Sequence, residues 1–167
     1  MRLRAQLWRL AIAMALLGSV SAITAQPEQD VAAVRQAAEQ GDAKAQAILG
    51  AMYEYGEGVT KDAKQAVAWY RQAAKQGQTA AQFKLGAMYH TGQGVAQNYM
   101  QAAVWYRQAA EQGHAVAQTV LGAMYEYGEG VTQNAKQAVA WYHKAAEQGQ
   151  AGAQSNLGVM YANGKGV

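Results

Sequence analysis

Four methionines, Met52, Met88, Met124 and Met160, stand 36 residues apart, each followed by a tyrosine. Thioethers can ligate soft metals, but such a site needs two or three sulfurs converging on one point. One methionine per interval is instead the spacing of a core stripe, and no metal site is expected. The histidines His90, His114 and His143 fall at unlike places in that interval, in a chain without cysteine. None stands at ligand spacing from a carboxylate, and each reads as an exposed variant. Glu54 with Glu57, and Glu126 with Glu129, could supply a general acid and base. Their short spacing puts them around a helix end, and no further acid or nucleophile accompanies them. The Gly-x-Gly stretches lack the lysine and the strand of a phosphate cradle. Ser155 is the only serine beyond Ser21, and no Ser-x-x-Lys occurs. The expectation is a non-enzyme with no cofactor, no metal and no catalytic residue.

The elements that position these residues form a repeat. Leu49 to Gly77 and Leu121 to Gly149 differ at five of 29 positions, and Leu85 to Gly113 keeps the same frame. A fourth copy opens at Leu157. Gly50, Gly86, Gly122 and Gly158 share the 36-residue period, as do Trp69, Trp105 and Trp141. A fixed period in this range is the signature of a solenoid. The division is residues 43–77, 78–113 and 114–149 for three repeats and 150–167 for part of a fourth, first helix only. The array ends before a second helix, and a fragment of a longer array is the favoured expectation over an open final helix.

Each repeat reads as two helices. The first covers about Ala43 to Tyr55, capped by Asp42, with Ala45, Leu49, Met52 and Tyr53 on one stripe. Gly56 and Gly58 end it, and Val59 plugs the turn into the core. The second covers about Ala63 to Gln76, capped by Asp62, with Asn98 and Asn134 at the equivalent places. Its apolar face is Ala66, Trp69, Tyr70, Ala73 and Ala74. Gly50 within a helix costs about 1 kcal/mol against alanine. Its recurrence predicts a Trp or Tyr against the bare backbone, with the indole of the adjoining unit as the main expectation and the chief source of buried area. Trp105→Ala is then expected to cost about 3–5 kcal/mol. Glutamine is abundant, and the surface is read as polar more than ionic.

Residues 1–25 read as an export signal: Arg2, Arg4 and Arg9, an apolar run from Leu10 to Val20, then small residues. That run is short for a membrane span of ~20 residues, so no stable anchor is expected after cleavage. Residues 26–42 are read as a linker followed by a capping helix from Val31 to Gln40. The whole chain is +3, from 14 basic and 11 acidic residues. Three of the basic residues lie in the leader, so the remainder is near neutral. Nothing here suggests nucleic acid, which calls for a basic face.

The pattern A-x-x-x-L-G-x-x-Y-x-x-G-x-G-V, then A-x-x-W-Y-x-x-A-A-x-x-G, resembles the Sel-one-like repeat, a relative of the tetratricopeptide repeat. The resemblance covers about Val31 to Val167. It implies an all-α fold: a right-handed superhelical solenoid of antiparallel helix pairs, with a non-enzymatic role as a protein-interaction adaptor. Framework positions repeat while some first-helix positions vary between copies, and in this kind of solenoid those helices line the concave side. Ile48, Tyr55, Phe83, Lys84, His90, Val120, Tyr127 and Asn156 are therefore the candidate contacts to a protein or peptide partner. The expected setting is the periplasm or the secreted fraction of a bacterium. The oligomeric state stays open. The alternative is an enzyme acting on cell-wall glycans or peptides, or an accessory domain of one.

Overall fold

A polar cap opens almost every helix and a glycine follows almost every one, so the chain is cut into near-equal pieces. The computed structural model describes residues 27–166; the expected export segment at 1–25 lies outside the described residues. Eight helices follow one another: α1 (Pro27–Glu39), α2 (Ala43–Tyr55), α3 (Ala63–Lys75), α4 (Thr79–Thr91), α5 (Tyr99–Glu111), α6 (Ala115–Tyr127), α7 (Ala135–Glu147) and α8 (Ala151–Ala162). No strand occurs among the described residues. Part of the segment read as a linker is the first turn of α1, with Pro27 at its start, where a missing N–H costs nothing.

Asp42 accepts from the Ala45 amide, and Asp62 accepts from the Lys64 and Gln65 amides. Asn98 and Asn134 cap α5 and α7 in the same way. Gly56 closes α2 at φ 74°, the left-handed conformation that a side chain resists. The loop then folds back: the Asp62 amide donates to the Tyr53 carbonyl at 2.9 Å. At the far end of the pair, Gln76 of the turn after α3 donates to the Gly41 carbonyl just before α2, at 3.0 Å. The two helices therefore run antiparallel, and each helix packs on the next in sequence from α1 to α8. The chain is a helical-repeat solenoid.

The core divides by repeat. Leu49 and Met52 pack with Val34 and Ala38 of α1. Leu85 and Met88 pack with Ala66, Val67, Tyr70, Ala73 and Ala74 of α3. Leu121 and Met124 repeat this against α5, and Leu157 and Met160 against α7. The four methionines thus serve four separate clusters. Each tryptophan lies half-buried against the cluster that joins the preceding unit's last helix to the first helix of its own repeat: Trp69 on the first, Trp105 and Trp141 on the next two.

The residue against the glycine is the tyrosine, not the indole, and it comes from the same repeat. A Cβ on Gly50 would lie 2.8 Å from Tyr70 Cδ1, on Gly86 2.8 Å from Tyr106 Cδ1, and on Gly122 2.7 Å from Tyr142 Cδ1. These tyrosines are 2, 4 and 0% exposed. The bare helix rib lets the ring lie flat on the backbone, which offsets the helix cost of glycine. The tyrosine is therefore the buried anchor within a repeat, and the tryptophan bridges to the unit before it. The expected cost of Trp105→Ala falls accordingly.

Glutamine is also core. Gln46, Gln82 and Gln118 are 3, 3 and 4% exposed. Gln46 Nε2 donates to the Ala38 carbonyl at 3.1 Å, and Gln76 Nε2 donates to Gln46 Oε1 at 2.7 Å. Gln82 and Gln118 repeat both bonds with Ala74 and Gln112, and with Ala110 and Gln148. Each buried amide thus satisfies a helix-end carbonyl of the preceding repeat while staying paired itself. A second ladder runs from guanidinium to phenol: Arg35 to Tyr53, Arg71 to Tyr89 and Arg107 to Tyr125, at 3.3, 3.0 and 2.6 Å.

Candidate functional site

The first helix of each repeat presents an outward stripe at positions equivalent to 47/48, 51 and 54/55. Its middle is alanine in the three full repeats, at Ala51, Ala87 and Ala123, each half-buried, and Val159 in the fourth copy. The flanking positions vary, and all eight predicted residues sit on them. Ile48, Phe83, Lys84, His90, Val120 and Asn156 are half-buried, while Tyr55 and Tyr127 are 52 and 69% exposed. The structure places six of these eight in three unlike groups, while Ile48 and Val120 pack against the core clusters of α1–α2 and α5–α6.

In repeat 1, Glu54 is the hub. Tyr70 donates its hydroxyl to Glu54 Oε2 at 2.6 Å, and Lys84 from the next repeat places Nζ 3.1 Å from Glu54 Oε1. The same ammonium hydrogen-bonds the Tyr55 hydroxyl. Burial alone would lower the Lys84 pKa; the hydrogen bonds to Tyr55 and Glu54 and the Glu54 charge outweigh it, and the net shift is upward. The Tyr70 hydroxyl is pushed far up, first by burial and then by its bond to the carboxylate. Both carboxylate oxygens of Glu54 are thus bonded within the fold.

Repeat 2 replaces this ion pair with rings. Phe83 stacks on His114 with centroids 4.5 Å apart and lies 5.7 Å from Tyr106. His90, where repeats 1 and 3 have glutamate, stands edge-on to Tyr106 at 6.3 Å and to Tyr99 at 5.1 Å. Burial pushes the Tyr106 hydroxyl up to about 12. His114 is no exposed variant: it is half-buried, and its Nδ1 caps α6 by accepting from the Ala117 amide at 3.1 Å. Burial lowers its pKa. His90 Nε2 lies 3.4 Å from Glu129 of the following loop. His143 stands beside Glu147 at 3.3 Å, on the helix surface.

Repeat 3 restores the glutamate but not its cation. Tyr142 donates to Glu126 Oε2 at 2.8 Å. Burial first, then that bond, pushes its hydroxyl up. The place of Lys84 is taken by Asn156. Among the described residues, no three His, Asp or Glu side chains converge as a metal site would require.

A surface feature on the second helices escaped the sequence reading. Tyr99, Met100 and Val104 are 39, 66 and 46% exposed on α5. Their counterparts are Ala63, Lys64 and Ala68, and Ala135, Lys136 and Ala140. Comparing second-helix columns, as was done for the first helices, would have found it. An open depression of about 680 Å³ lies at the α1 end, lined by Val31, Arg35, Tyr53 and the 58–62 loop. None of the eight predicted residues lines it. No helix of the described residues is long and apolar enough to cross a membrane.

The chain resembles several solved structures. It aligns with c5321, a protective antigen of uropathogenic Escherichia coli displaying an SLR fold, at TM-score 0.79 and 45% identity, covering 82% of this chain and 29% of that one. A Sel1 repeat protein from Oxalobacter formigenes aligns at TM-score 0.82 and 36% identity, over 99% of this chain and 63% of that one. The chain thus spans less than two thirds of either. Cysteine-rich protein B of Helicobacter pylori shares the fold at TM-score 0.62 and 22% identity, over 79% of this chain and 98% of that one. A search of curated protein sequences found no match. Proteins built from this repeat are generally protein-interaction scaffolds. The Sel1 repeat profile matches residues 43–78, 79–114, 115–150 and 151–167, and the chain belongs to the Sel1 repeat family.

Proposed function

We propose that this chain is a non-enzymatic scaffold of the bacterial envelope or secreted fraction, holding a protein or peptide partner along its first-helix face. The observation that carries the reading is the contrast between frame and face. Leu, Gly, Met and Tyr recur at fixed places in the core, while their half-buried neighbours become an ion pair, a row of rings and, among the described residues, a glutamate with no cation beside it in successive repeats. A spacer needs only the frame; three unlike surfaces in fixed register suit one extended ligand. The face is preformed on packed helices, so little ordering entropy is lost on binding. The arginine-rich, apolar leader at 1–25 supports export.

The test is crosslinking capture from the native cell envelope, comparing the parent chain with Phe83→Ala and Tyr127→Ala. Loss of one captured protein in both variants, with helicity unchanged, is the expected outcome. Capture of nothing above background by the parent chain would overturn the reading.

A further inference from the structure

Repeats 1 and 3 carry the same first-helix sequence, LGAMYEYGEG, at residues 49–58 and 121–130. In repeat 1 the Glu54–Tyr55 pair is occupied from within the chain. Lys84 reaches back from the neighbouring helix, its Nζ 3.1 Å from Glu54 Oε1 and hydrogen-bonded to the Tyr55 hydroxyl. The ammonium is 5.0 Å from the Tyr55 ring centroid and, being bonded to the hydroxyl, sits beyond that end of the ring rather than over its face. In repeat 3 the same carboxylate and phenol recur with no lysine beside them among the described residues, and Asn156 reaches the Tyr142 hydroxyl instead. Tyr142 orients Glu126 by donating to Oε2, as Tyr70 orients Glu54. Tyr127 is 69% exposed, against 52% for Tyr55. The column that supplies Lys84 supplies Asn156 here, a side chain too short and uncharged to replace it. Repeat 2 has no such receptor, since His90 and Thr91 replace the glutamate and tyrosine.

We propose that Glu126 and Tyr127 form a receptor for a lysine side chain of the partner, which enters over Asn156 and takes the place that Lys84 holds in repeat 1. The proposal rests on the scaffold reading and names one anchor of the ligand. The chemistry that selects lysine is visible in repeat 1: a charge-assisted bond to a fixed carboxylate, shared with a phenol, half-screened from water. A bidentate arginine would share Oε2 with Tyr142, whereas an ammonium needs only Oε1. A neutral side chain would leave the carboxylate without its counter-charge.

The experiment titrates the chain, labelled for NMR, with the peptide acetyl-Ala-Ala-Lys-Ala-Ala-amide and with the same peptide carrying acetyl-lysine. The lysine peptide is expected to shift the amide signals of Tyr127 and Asn156 saturably, and acetylation to weaken binding about tenfold or more. Glu126→Gln should do the same. Asn156→Lys should remove the response by filling the receptor from within, and because it adds the side chain repeat 1 already carries, it is expected to fold. No shift with the lysine peptide, equal shifts with both peptides, or an undiminished response in Asn156→Lys overturns the receptor. Capture by the parent chain of a protein lost from Phe83→Ala would then keep the scaffold standing without it.

Discussion

Alanine at Gly122 and at Gly158 should move stability in opposite directions, although the two glycines occupy the same place in successive repeats. Both are helical, so alanine gains about 1 kcal/mol of helix propensity at either. At Gly158 the added methyl meets nothing within 4 Å. The whole gain should appear, raising Tm by roughly 2–4 °C in a chain of this size. At Gly122 the methyl would sit 2.7 Å from both Cδ1 and Cε1 of Tyr142. The ring is fully buried and tied to Glu126 at 2.8 Å, so it cannot swing into water. Overpacking of this kind costs about 1–3 kcal/mol. Displacing the phenol also weakens a bond to a carboxylate that is worth about 1.5–3 kcal/mol. Set against the propensity gain, the net loss is about 1.5–5 kcal/mol. Gly86→Ala meets Tyr106 at 2.8 Å, but that hydroxyl has no glutamate to lose, so its cost should be smaller. Thermal and urea melts followed by circular dichroism give the order, and hydrogen exchange in α6 and α7 localises the loss. If Gly122→Ala stabilises as much as Gly158→Ala, the tyrosine-on-glycine account of the repeat is wrong.

Three further outcomes follow from the same packing. Tyr106→Ala should cost about 3–5 kcal/mol and Trp105→Ala only about 2–3, because the half-exposed indole leaves no closed cavity; urea melts that reverse this order would refute it. Gln118→Ala strips the Ala110 carbonyl and Gln148 of a partner and should cost about 1–3 kcal/mol. A melt unchanged from the parent chain would make that amide dispensable. His114→Gln should flatten the acid limb of the stability profile. The folded pKa of His114 is lowered from 6.5 by burial, so the unfolded chain binds the extra proton first. Its contribution is fully present above about 6.5 and is lost as pH falls through the folded value. Gln78 already caps the equivalent helix, accepting from Ala80 at 2.9 Å, so the variant keeps its cap without the titration. His90 and His143, beside Glu129 and Glu147, are the same in both proteins. Melts at pH 7 and pH 5 whose difference matches the parent chain's would refute the assignment.

The caps and helix limits were legible because they are local. Asp62, Asn98 and Asn134 bond amides two or three residues away, and Gly56 needs only its own φ. Which aromatic ring meets the glycine was not legible. Trp69 and Tyr70 are adjacent and point about 100° apart around one helix, so the 36-residue period carries both equally. The buried glutamines were missed for a related reason. An amide reads as surface until its partners are in place, and those lie 8 residues away in the preceding helix and 30 residues away at the end of the same repeat. Of the candidate site, the sequence named the variable residues, but not that Lys84 reaches back to Glu54 or that Phe83 stacks on His114.

By itself, the sequence determined the all-helical repeat, its period and its capping, since those follow from spacing and from bonds made within a few residues. Only the tertiary structure decided that tyrosine seats on glycine, that glutamine ties one repeat to the next, and that one glutamate has a lysine where its copy has none. Those outcomes depend on helix crossing and on reach between neighbouring units, which residue order along one chain does not encode position by position.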